Sequence, residues 1–350
     1  MNPNVAIIIL NWNGWKDTIE CLESLYQITY PNYNVILVDN NSEDESIEKI
    51  KGYCGGGFSV ESKFFKYDPS NKSIKIIRYT REEAEVGGGK EEEISDLPSN
   101  RKLIIIKNDK NYGFAEGNNI GIRYALKALN PEYILLLNND TIVDRNFLGE
   151  LVKVSESDEK IGIVGAKIYN YYHQNLIEYA GSKINWWLGE VKSIGYKKED
   201  NNRFNKMREV DTVSGCAMLI KKTVIQKIHF LDTNYYLYYE DTDFCIRAKR
   251  SGYNIVFCPY SKIWHKSSTS AKKISGVREY YSARNLFIFM KKYSTKNQFY
   301  CFLLYFFIFR FWFTIAIIIG YHKEIGAFFS FVKGVVVGLN TTSRTLVLRH

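Results

Sequence analysis

Continuous apolar runs alternate with amphipathic stretches along the first 140 residues of the chain. Runs without internal polar positions are typical of strands buried on both faces, and they lie at residues 5–10, 35–38, 103–106 and 133–137. Apolar residues at helical spacing separate the first two runs and again the last two. This order predicts an α/β fold with a mostly parallel, doubly wound sheet. Because ligands bind at the carboxyl ends of such strands, the polar residues after each run are the candidates for a functional site.

The stretch from residue 51 to residue 100 interrupts this rhythm. It contains two glycine triplets and an acid-rich segment at 82–93. We interpret it as an inserted surface excursion, with a hairpin formed by residues 58–67 and 74–79. Long irregular segments are either solvated loops or functional lids, and the sequence leaves both open. Beyond it, the pattern predicts strands at 161–168 and 213–220 and helices at 241–251 and 277–292.

The C-terminal part of the chain is strongly apolar. Residues 299–320 carry one charged side chain, Arg310, and the run is long enough to cross a bilayer. An arginine near the centre of a span costs about 2.5–3.5 kcal/mol on insertion scales. A second apolar stretch, 325–339, is shorter and carries Lys333. A membrane span, an interfacial or re-entrant hairpin and a buried pair of core helices all remain open.

Positive charge is concentrated just before this tail. The net charge of the chain is +9, and the segment 262–296 holds nine Lys or Arg residues and one acid. A local basic block indicates an anionic partner, which can be phosphate, acidic lipid or nucleic acid. We expect Lys291, Lys292 and Lys296 to face lipid. We divide the chain into a catalytic domain at 1–290 and a basic, membrane-associated helical tail at 291–350.

The cysteines and the N-terminus indicate the compartment. The six cysteines show no CxxC or other metal-site spacing, which suits scattered, reduced thiols. The first apolar run is too short for a signal peptide and has no basic segment before it. We therefore expect the catalytic domain to stay in the cytoplasm, on the cytoplasmic face of the cell membrane.

Polar residues with possible chemistry follow two of the apolar runs. Asp39 comes directly after the second run and can accept hydrogen bonds from a ribose or a base. Asp140 follows the fourth run, and a carboxylate fixed at a strand end is a suitable ligand for Mg²⁺ or Mn²⁺. The same residue types form simple turns, so the alternative at both places is a strand-to-turn cap. His265, in the basic block, is either a metal or phosphate ligand or an ordinary polar residue.

Three acids lie at the start of one predicted helix. They are Glu240, Asp241 and Asp243, and Arg247 follows one turn later. Acids at this end complement the helix dipole, and Asp243 has the spacing for an ion pair with Arg247. The alternative is catalytic, because a carboxylate in a cleft can take the proton of an attacking sugar hydroxyl. Both interpretations can hold for different acids.

A series of short motifs occurs in order along residues 5–290, apart from the stretch 51–100. They are Ile8-Ile9-Leu10-Asn11-Trp12-Asn13-Gly14, Val38-Asp39-Asn40-Asn41-Ser42, Asn111-Tyr112-Gly113-Phe114-Ala115-Glu116-Gly117-Asn118-Asn119, Asn138-Asn139-Asp140, Ser214-Gly215-Cys216-Ala217-Met218, Glu240-Asp241-Thr242-Asp243 with Arg247, His265, and Tyr281 with Arg284-Asn285. Each motif is weak alone. The ordered set resembles family 2 glycosyltransferases, particularly the rhamnosyltransferase-like branch.

This resemblance implies a GT-A fold, a nucleotide-diphosphate sugar donor and inversion at the anomeric carbon. By it, Asp140 binds a divalent cation with His265 assisting, and Asp241 is the general base, oriented by Glu240 or Asp243. Asp39 holds the nucleoside, with Asn111 and Gly113 in the loop near it. The full set of implied donor contacts is Asn11, Asn13, Asp39, Asn41, Asn111, Gly113, Asn118, Asn138 and Arg284.

Two departures from family patterns refine the expectation. The family's metal motif commonly has two acids, and here Asn138 stands at the first position. The Gln-x-x-Arg-Trp motif of processive synthases is absent, which indicates transfer of one sugar per encounter. The membrane tail suits a glycan or lipid-linked acceptor of polysaccharide biosynthesis in the cell envelope. No nucleic-acid-binding motif accompanies the basic block, so we expect no nucleic-acid partner.

Two other functions share some of these features. Sugar-phosphate nucleotidyltransferases also use a doubly wound sheet and metal-bound acids. They usually carry a Gly-rich, basic loop after the first strand, where this chain has Asn11-Trp12-Asn13-Gly14-Trp15. The non-enzyme alternative is a catalytically inactive, membrane-tethered carbohydrate-binding module, against which the presence of Asp140 and Asp241 argues.

Overall fold

The computed structural model describes residues 2–267, 276–321 and 323–341 of the chain. Its strands are β1 Val5–Asn11, β2 Tyr33–Asp39, β3 Lys75–Thr80, β4 Lys102–Lys107, β5 Tyr133–Asn138, β6 Thr141–Val143, β7 Ile161–Asn170, β8 Leu176–Tyr179, β9 Ser182–Asn185, β10 Glu190–Ser193, β11 Lys198–Glu199, β12 Arg208–Glu209, β13 Ala217–Lys221 and β14 Asn254–His265. Its helices are α1 Trp15–Leu25, α2 Ser46–Cys54, α3 Arg81–Val86, α4 Gly113–Tyr124, α5 Phe147–Glu156, α6 Lys222–Ile228, α7 Glu240–Arg250 and α8 Val277–Tyr293. The tail follows as a first tail helix, Lys296–Tyr321, and a second tail helix, Ile325–Asn340.

A mixed sheet forms the centre of the molecule, and its parallel part agrees with the prediction. β3, β4, β2, β1 and β5 lie side by side in that order and run parallel. Ile7 and Ile9 of β1 belong to one hydrophobic core, and Ile8 belongs to the other. Helices α1 and α5 cover one face of the sheet, and α4 and α7 cover the other. The doubly wound arrangement is therefore confirmed, and burial on both faces explains the continuous apolar runs.

Beyond β5 the sheet continues with mixed strand directions. β13 pairs antiparallel with β5 and β7, whereas β14 runs parallel to β7 and antiparallel to β6. β14 was not among the predicted strands, since Pro259 interrupts its apolar run and its register shifts between Cys258 and Lys262. The pairing of β14 with β6 sets His265 opposite Thr141, the residue after Asp140.

The hairpin predicted inside the stretch 51–100 is wrong. β3 instead pairs parallel with β4 at the edge of the sheet, with Ile77 opposite Ile104. Residues 51–54 complete α2, where Tyr53 is buried. An edge strand with one exposed face has the same alternating pattern as a hairpin strand, so the pattern did not distinguish the two. The stretch therefore contributes a strand to the main sheet, which the predicted surface excursion did not include.

The other predicted elements are present with shifted bounds. Residues 161–168 fall within β7, and the helices predicted at 241–251 and 277–292 are α7 and α8. The strand predicted at 213–220 begins only at β13. In the segment before it, the main-chain N–H of Gly215 donates to the side chain of Asp241 at 2.9 Å.

The tail packs one face on α8 and leaves the other exposed. Phe302, Phe306 and Phe331 join Phe287 of α8 in a third hydrophobic cluster. Among the described helices, the first tail helix is long and apolar enough to cross a membrane, by length and composition only. Only 17% of its most apolar window is buried, so a buried pair of core helices does not fit the structure.

Part of the basic block bonds to the protein itself. Lys292 contacts the carboxylates of two buried aspartates at 2.8 and 2.7 Å. Lys291 donates to main-chain carbonyls at the end of the second tail helix. The prediction that these two lysines face lipid is therefore wrong, because each long side chain reaches an internal acceptor. Lys296 is exposed, and Lys272 and Lys273 lie outside the described residues.

Candidate active site

A cavity of about 450 Å³ opens at the carboxyl ends of β1 and β5. This is the edge at which doubly wound sheets bind ligands. Its walls come from strand ends, the start of α4, the loop before β13, the segment before α7, and α8. The lining residues are Leu10, Trp12, Asn40, Asn111, Gly113, Phe114, Asn138, Asn139, Asp140, Ser214, Gly215, Cys216, Tyr236, Leu237, Tyr238, Glu240, Asp241, His265, Val277 and Tyr281.

The cavity brings together predicted site residues that are far apart in the sequence. Those in its wall are Asn111, Gly113, Asn138, Asp140, Glu240, Asp241 and His265. The remaining predicted residues are described by the structure but lie outside the lining. They are Asn11, Asn13, Asp39, Asn41, Asn118, Asp243 and Arg284.

Asp140 and His265 form a pair in the cavity wall. The Nε2 atom of His265 lies 3.1 Å from Oδ1 of Asp140, and its Nδ1 atom lies 2.9 Å from Oε1 of Glu178. Burial opposes a charge on the imidazole, but Cys216 and Asp140 beside it raise its pKa well above the ordinary value. A histidine oriented through its second nitrogen by a carboxylate is typical of metal ligands.

The donor set of this pair suits a divalent cation in part. One carboxylate oxygen and one imidazole nitrogen are donors that Mn²⁺ accepts, and Mg²⁺ prefers the oxygen. Across residues 2–267, 276–321 and 323–341, no group of three His, Cys, Asp or Glu side chains is placed to hold a metal ion. A cation held by Asp140 and His265 would take its further ligands from water or from a bound phosphate.

Two neighbouring carboxyl groups lie at the start of α7. Oδ2 of Asp241 accepts the main-chain N–H of Gly215 at 2.9 Å, and Oδ1 accepts that of Thr242 at 2.6 Å. Burial raises the pKa of Asp241 above that of an ordinary aspartate, although these hydrogen bonds oppose the rise. Oε2 of Glu240 is buried without a hydrogen-bond partner, and burial raises the pKa of Glu240 well above its usual range. The cavity wall thus contains two adjacent carboxyl groups. Main-chain N–H groups orient that of Asp241, whereas burial favours the protonated form of Glu240.

Asp243 is in a different environment from its predicted catalytic partners. Its fully buried side chain accepts from Tyr293 at 2.6 Å and from Lys292 and Arg247 at 2.7 Å each. The ion pair with Arg247 expected from the spacing is confirmed. Because two residues turn a helix by about 200°, Asp241 and Asp243 point in nearly opposite directions. Asp243 therefore ties α7 to α8 and does not reach the cavity.

Asp39 and Asn11 form a buried network outside the cavity lining. Oδ1 of Asp39 accepts from Nδ2 of Asn11 at 2.9 Å and from the hydroxyl of Ser42 at 2.6 Å. Oδ1 of Asn11 accepts from the hydroxyl of Thr18 at 2.8 Å. These bonds connect the ends of β1 and β2 to α1 and hold the side chains of both predicted donor contacts in place.

Asn40 was not among the predicted donor contacts, but it lines the cavity. Its Nδ2 donates to Oδ1 of Asn111 at 2.8 Å and to the carbonyl of Gly113 at 3.1 Å, which joins the end of β2 to the start of α4. Its neighbour Asn41 has a left-handed backbone conformation, with φ of 61°. The motif contained both asparagines, but only the backbone conformation decides which one points into the cavity.

Three other predicted donor contacts bond within the protein. Asn13 accepts a main-chain N–H at 2.8 Å, and Asn118 donates to a carbonyl one turn earlier in α4 at 2.8 Å. Arg284 donates to the side chain of Asn285 at 3.0 Å. None of these three side chains reaches the described cavity wall.

The segment before α7 forms a wall that sequence analysis missed. Tyr236, Tyr238 and Tyr239 have φ of 56°, 67° and 73°, in the left-handed region that non-glycine residues rarely adopt. The ring of Tyr236 stacks on Tyr281, with centroids 5.0 Å apart, and its carbonyl accepts the N–H of Phe114 at 2.7 Å. The available signal was a cluster of tyrosines directly before the acids, but tyrosine richness has several explanations.

Two family models match the chain. "Glycosyl transferase family 2" matches residues 6–83, and "Glycosyltransferase like family 2" matches residues 91–281, more than half of the chain. All the residues that line the cavity fall within these two ranges. The family pattern therefore covers the candidate site in full.

The curated relatives include glycosyltransferases from archaea and bacteria. "Low-salt glycan biosynthesis hexosyltransferase Agl10" of Haloferax volcanii is 28% identical over 232 residues, which is 62% of this chain and 74% of that protein. "dTDP-rhamnosyl transferase RfbF" of Shigella flexneri is 25% identical, covering 55% of this chain and 64% of the relative. "Rhamnosyltransferase WbbL" of Escherichia coli is 25% identical, covering 42% and 58%. The chain thus spans less than two thirds of both rhamnosyltransferases.

Solved structures share the architecture at low sequence identity. The mannosyltransferase PcManGT from Pyrobaculum calidifontis, in complex with GDP-Man and Mn²⁺, aligns with a TM-score of 0.54 at 12% identity, covering 97% of this chain and 88% of that one. S. aureus TarS 1–349 in complex with UDP-GlcNAc aligns with a TM-score of 0.51 at 13% identity, covering 98% and 82%. At these identities the likeness establishes the fold alone.

The family match, the shared architecture and the position of the cavity agree with one another. The chain therefore belongs to family 2 of the glycosyltransferases, enzymes that use nucleotide-sugar donors, and it has their GT-A fold.

Proposed function

We propose that this chain transfers one hexosyl unit from a nucleotide-diphosphate sugar to a hydroxyl of a glycan or lipid-linked acceptor, with inversion at the anomeric carbon. The observation that carries the proposal is the placement of Asp241. Its carboxyl group lies in the cavity wall, oriented by the N–H groups of Gly215 and Thr242. A carboxylate held in this way is suited to accept a proton from an attacking hydroxyl.

The proposed reaction is a single displacement. The acceptor oxygen attacks the anomeric carbon as the bond from that carbon to the diphosphate oxygen breaks. The hydroxyl proton passes to Asp241, and the nucleoside diphosphate leaves with the bonding electron pair. Burial raises the pKa of Asp241, which makes its carboxylate a better proton acceptor than an exposed aspartate.

Asp140 and His265 are the proposed ligands of a divalent cation, Mg²⁺ or Mn²⁺. Such a cation neutralises charge on the leaving diphosphate. The hydrogen bond that Nδ1–H of His265 donates to Glu178 fixes the ring so that Nε2 points toward Asp140. Related structures that contain Mn²⁺ together with a nucleotide or a nucleotide sugar support this assignment.

The donor is proposed to lie across the strand ends, between Asn40 and Asp140. Asn40, Asn111, Gly113 and Asn138 present polar groups to the cavity along this edge. Asp39 and its hydrogen-bonded neighbours then act by holding the strand ends in place. The absence of the processive Gln-x-x-Arg-Trp motif from the sequence supports transfer of one sugar per encounter.

We also propose that the protein works at the cytoplasmic face of a membrane. The apolar first tail helix, with most of its surface exposed, supports this placement. It suits an acceptor carried by a lipid, whose reactive hydroxyl lies close to the bilayer surface.

The proposal is tested with a panel of nucleotide-diphosphate sugars and Mn²⁺, by measuring release of nucleoside diphosphate. At least one donor is expected to be turned over. The Asp241→Asn variant should lower turnover by about 10²–10⁴-fold, the usual contribution of a general base, with nearly unchanged donor binding. Asp96→Asn, at an exposed aspartate, is the matched control and should keep wild-type activity. Wild-type turnover by Asp241→Asn would rule out the assigned base.

A further inference from the structure

The tail presents an apolar surface that the described protein does not cover. Side chains spaced mostly three or four residues apart point outward from the first tail helix, and one on the second helix joins them. They are Leu304, Ile308, Phe309, Trp312, Phe313 and Phe329, each between 58 and 68% exposed. An uncovered apolar surface of this extent marks a binding face for another apolar phase.

Other side chains of the first tail helix bond it to the catalytic domain. Arg310 donates to the carbonyl of Gly189 at 3.1 Å, and Tyr305 donates to Glu190 at 2.8 Å. Gly189 precedes β10 in the β9–β10 hairpin, and Phe302 packs against it. The helix therefore lies along the domain rather than projecting from it.

This attachment is incompatible with a membrane span. The helix has 26 residues and is about 39 Å long, and Arg310 lies about 21 Å from its start, near the bilayer centre of any span. A span would carry Gly189 and the hairpin into the hydrocarbon region together with Arg310. There the unpaired backbone groups of a two-stranded sheet cost several kcal/mol each, and charged Glu190 and Lys192 would enter with them.

We propose that the two tail helices lie in the plane of an anionic membrane surface and do not cross it. The catalytic domain and the loop between the tail helices are then on the same side. Amphipathic aromatic side chains at positions 300, 312 and 321 are exposed, as is common at membrane interfaces. Exposed Lys296 and Lys323, at the two ends of the first tail helix, match anionic headgroups.

This inference rests on the membrane association proposed above and places the active site relative to the bilayer. Helix α8 contributes Val277 and Tyr281 to the cavity wall, and its later residue Phe287 packs on the tail. Phe287 is six positions after Tyr281 in the helix, which is about 9 Å along the axis. The cavity is thus close to the tail, within reach of an acceptor anchored in the same surface.

The first experiment tests the docking face on the full-length protein. Wild type is expected to sediment with anionic phospholipid vesicles, and the triple variant Leu304→Glu, Ile308→Glu, Phe313→Glu should lose at least tenfold in partitioning. Val86→Glu, a matched change at an exposed residue of α3, should bind as wild type does. All variants should unfold at the same urea concentration, because the changed side chains are exposed. Undiminished vesicle binding by the triple variant overturns the proposal. The proposal is also overturned if the wild type is a dimer that does not bind vesicles and the triple variant is a monomer, because the apolar face then binds a second copy of the chain.

The second experiment determines on which side the tail loop lies. In a Cys301→Ser background, the other described cysteines are buried, so Lys323→Cys and Asp96→Cys can be labelled individually. In sealed, inverted membrane vesicles both should react equally with a membrane-impermeant maleimide. Labelling of Lys323→Cys only after detergent means that the helix spans, which overturns the proposal. Nucleoside diphosphate release is measured separately in detergent, so loss of that activity contradicts the proposed function without changing the location of the tail.

Discussion

Replacing Asn285 with alanine should release the loop that forms one wall of the cavity. Nδ2 of this fully buried residue of α8 lies 2.8 Å from the carbonyls of Tyr235, Leu237 and Tyr238. The amide has two N–H groups, which the three carbonyls share. We call these hydrogen bonds the Asn285 clamp. At about 0.5–1.5 kcal/mol per net hydrogen bond, the clamp contributes about 1–3 kcal/mol to stability.

The backbone strain in the loop determines whether the loop moves when the hydrogen bonds of Asn285 are lost. Three of its tyrosines, at positions 236, 238 and 239, have positive φ, and each such residue costs on the order of 1–3 kcal/mol. Because this strain is at least as large as the contribution of the clamp, the loop should relax rather than stay in place. The ring of Tyr236 then leaves Tyr281 and the start of α4.

The expected result is a large loss of activity with a small loss of stability. Displacement of site groups by about 1 Å costs on the order of 10²-fold in rate, so kcat/KM for nucleoside diphosphate release should fall by about that factor. Urea denaturation should show about 1–3 kcal/mol of destabilisation. Asn285→Asp should behave worse, since a carboxylate then faces three carbonyl oxygens. Asn297→Ala, at an exposed position, is the control. Wild-type kcat/KM and stability in Asn285→Ala would refute the clamp.

Three further predictions concern the charged groups. Burial raises the pKa of Asp241, and only the ionised form of its carboxyl group accepts a proton. The acid limb of the kcat/KM–pH profile should therefore lie above the usual aspartate range. An acid limb at or below that range would contradict the assigned base. Asp140→Ala should abolish stimulation by Mn²⁺ in a metal titration, and an unchanged titration would exclude it as a ligand. Lys292→Met should lower the free energy of unfolding, measured in urea, by ~3 kcal/mol, because fully buried Asp243 loses a charge partner. Lys296→Met, at an exposed lysine, is the control and should change stability little. Equal effects of the two variants would argue against a stabilising ion pair between Lys292 and Asp243.

Much of the parallel sheet was predictable from the order of residues. The central residues of β1, β2, β4 and β5 are buried on both faces and are apolar, and short uninterrupted apolar runs are typical of such strands. β3 and β14 were not predictable in the same way. β3 is an edge strand with an alternating pattern, and β14 contains Pro259, which normally argues against a strand.

The chemistry of the site was only partly readable from the sequence. The motifs identified Asp140, Asp241 and His265, which the folded chain brings to one cavity. They also placed Asp243 in the catalytic set beside Asp241, although its side chain lies outside the cavity wall. That placement depends on the side of α7 that meets α8, where Lys292 and the hydroxyl of residue 293 bind Asp243.

Local patterns and ordered motifs in the sequence identify the family, the parallel centre of the sheet and the types of side chain available for catalysis. Tertiary structure decided which of those side chains face the cavity and which hold the protein together. Lys291 shows the reason: among the charges near the tail it suggested a lipid contact, yet its amine reaches carbonyls of the chain at positions 338 and 341. Such partners lie 47 and 50 residues away, and only the fold brings them within hydrogen-bonding distance.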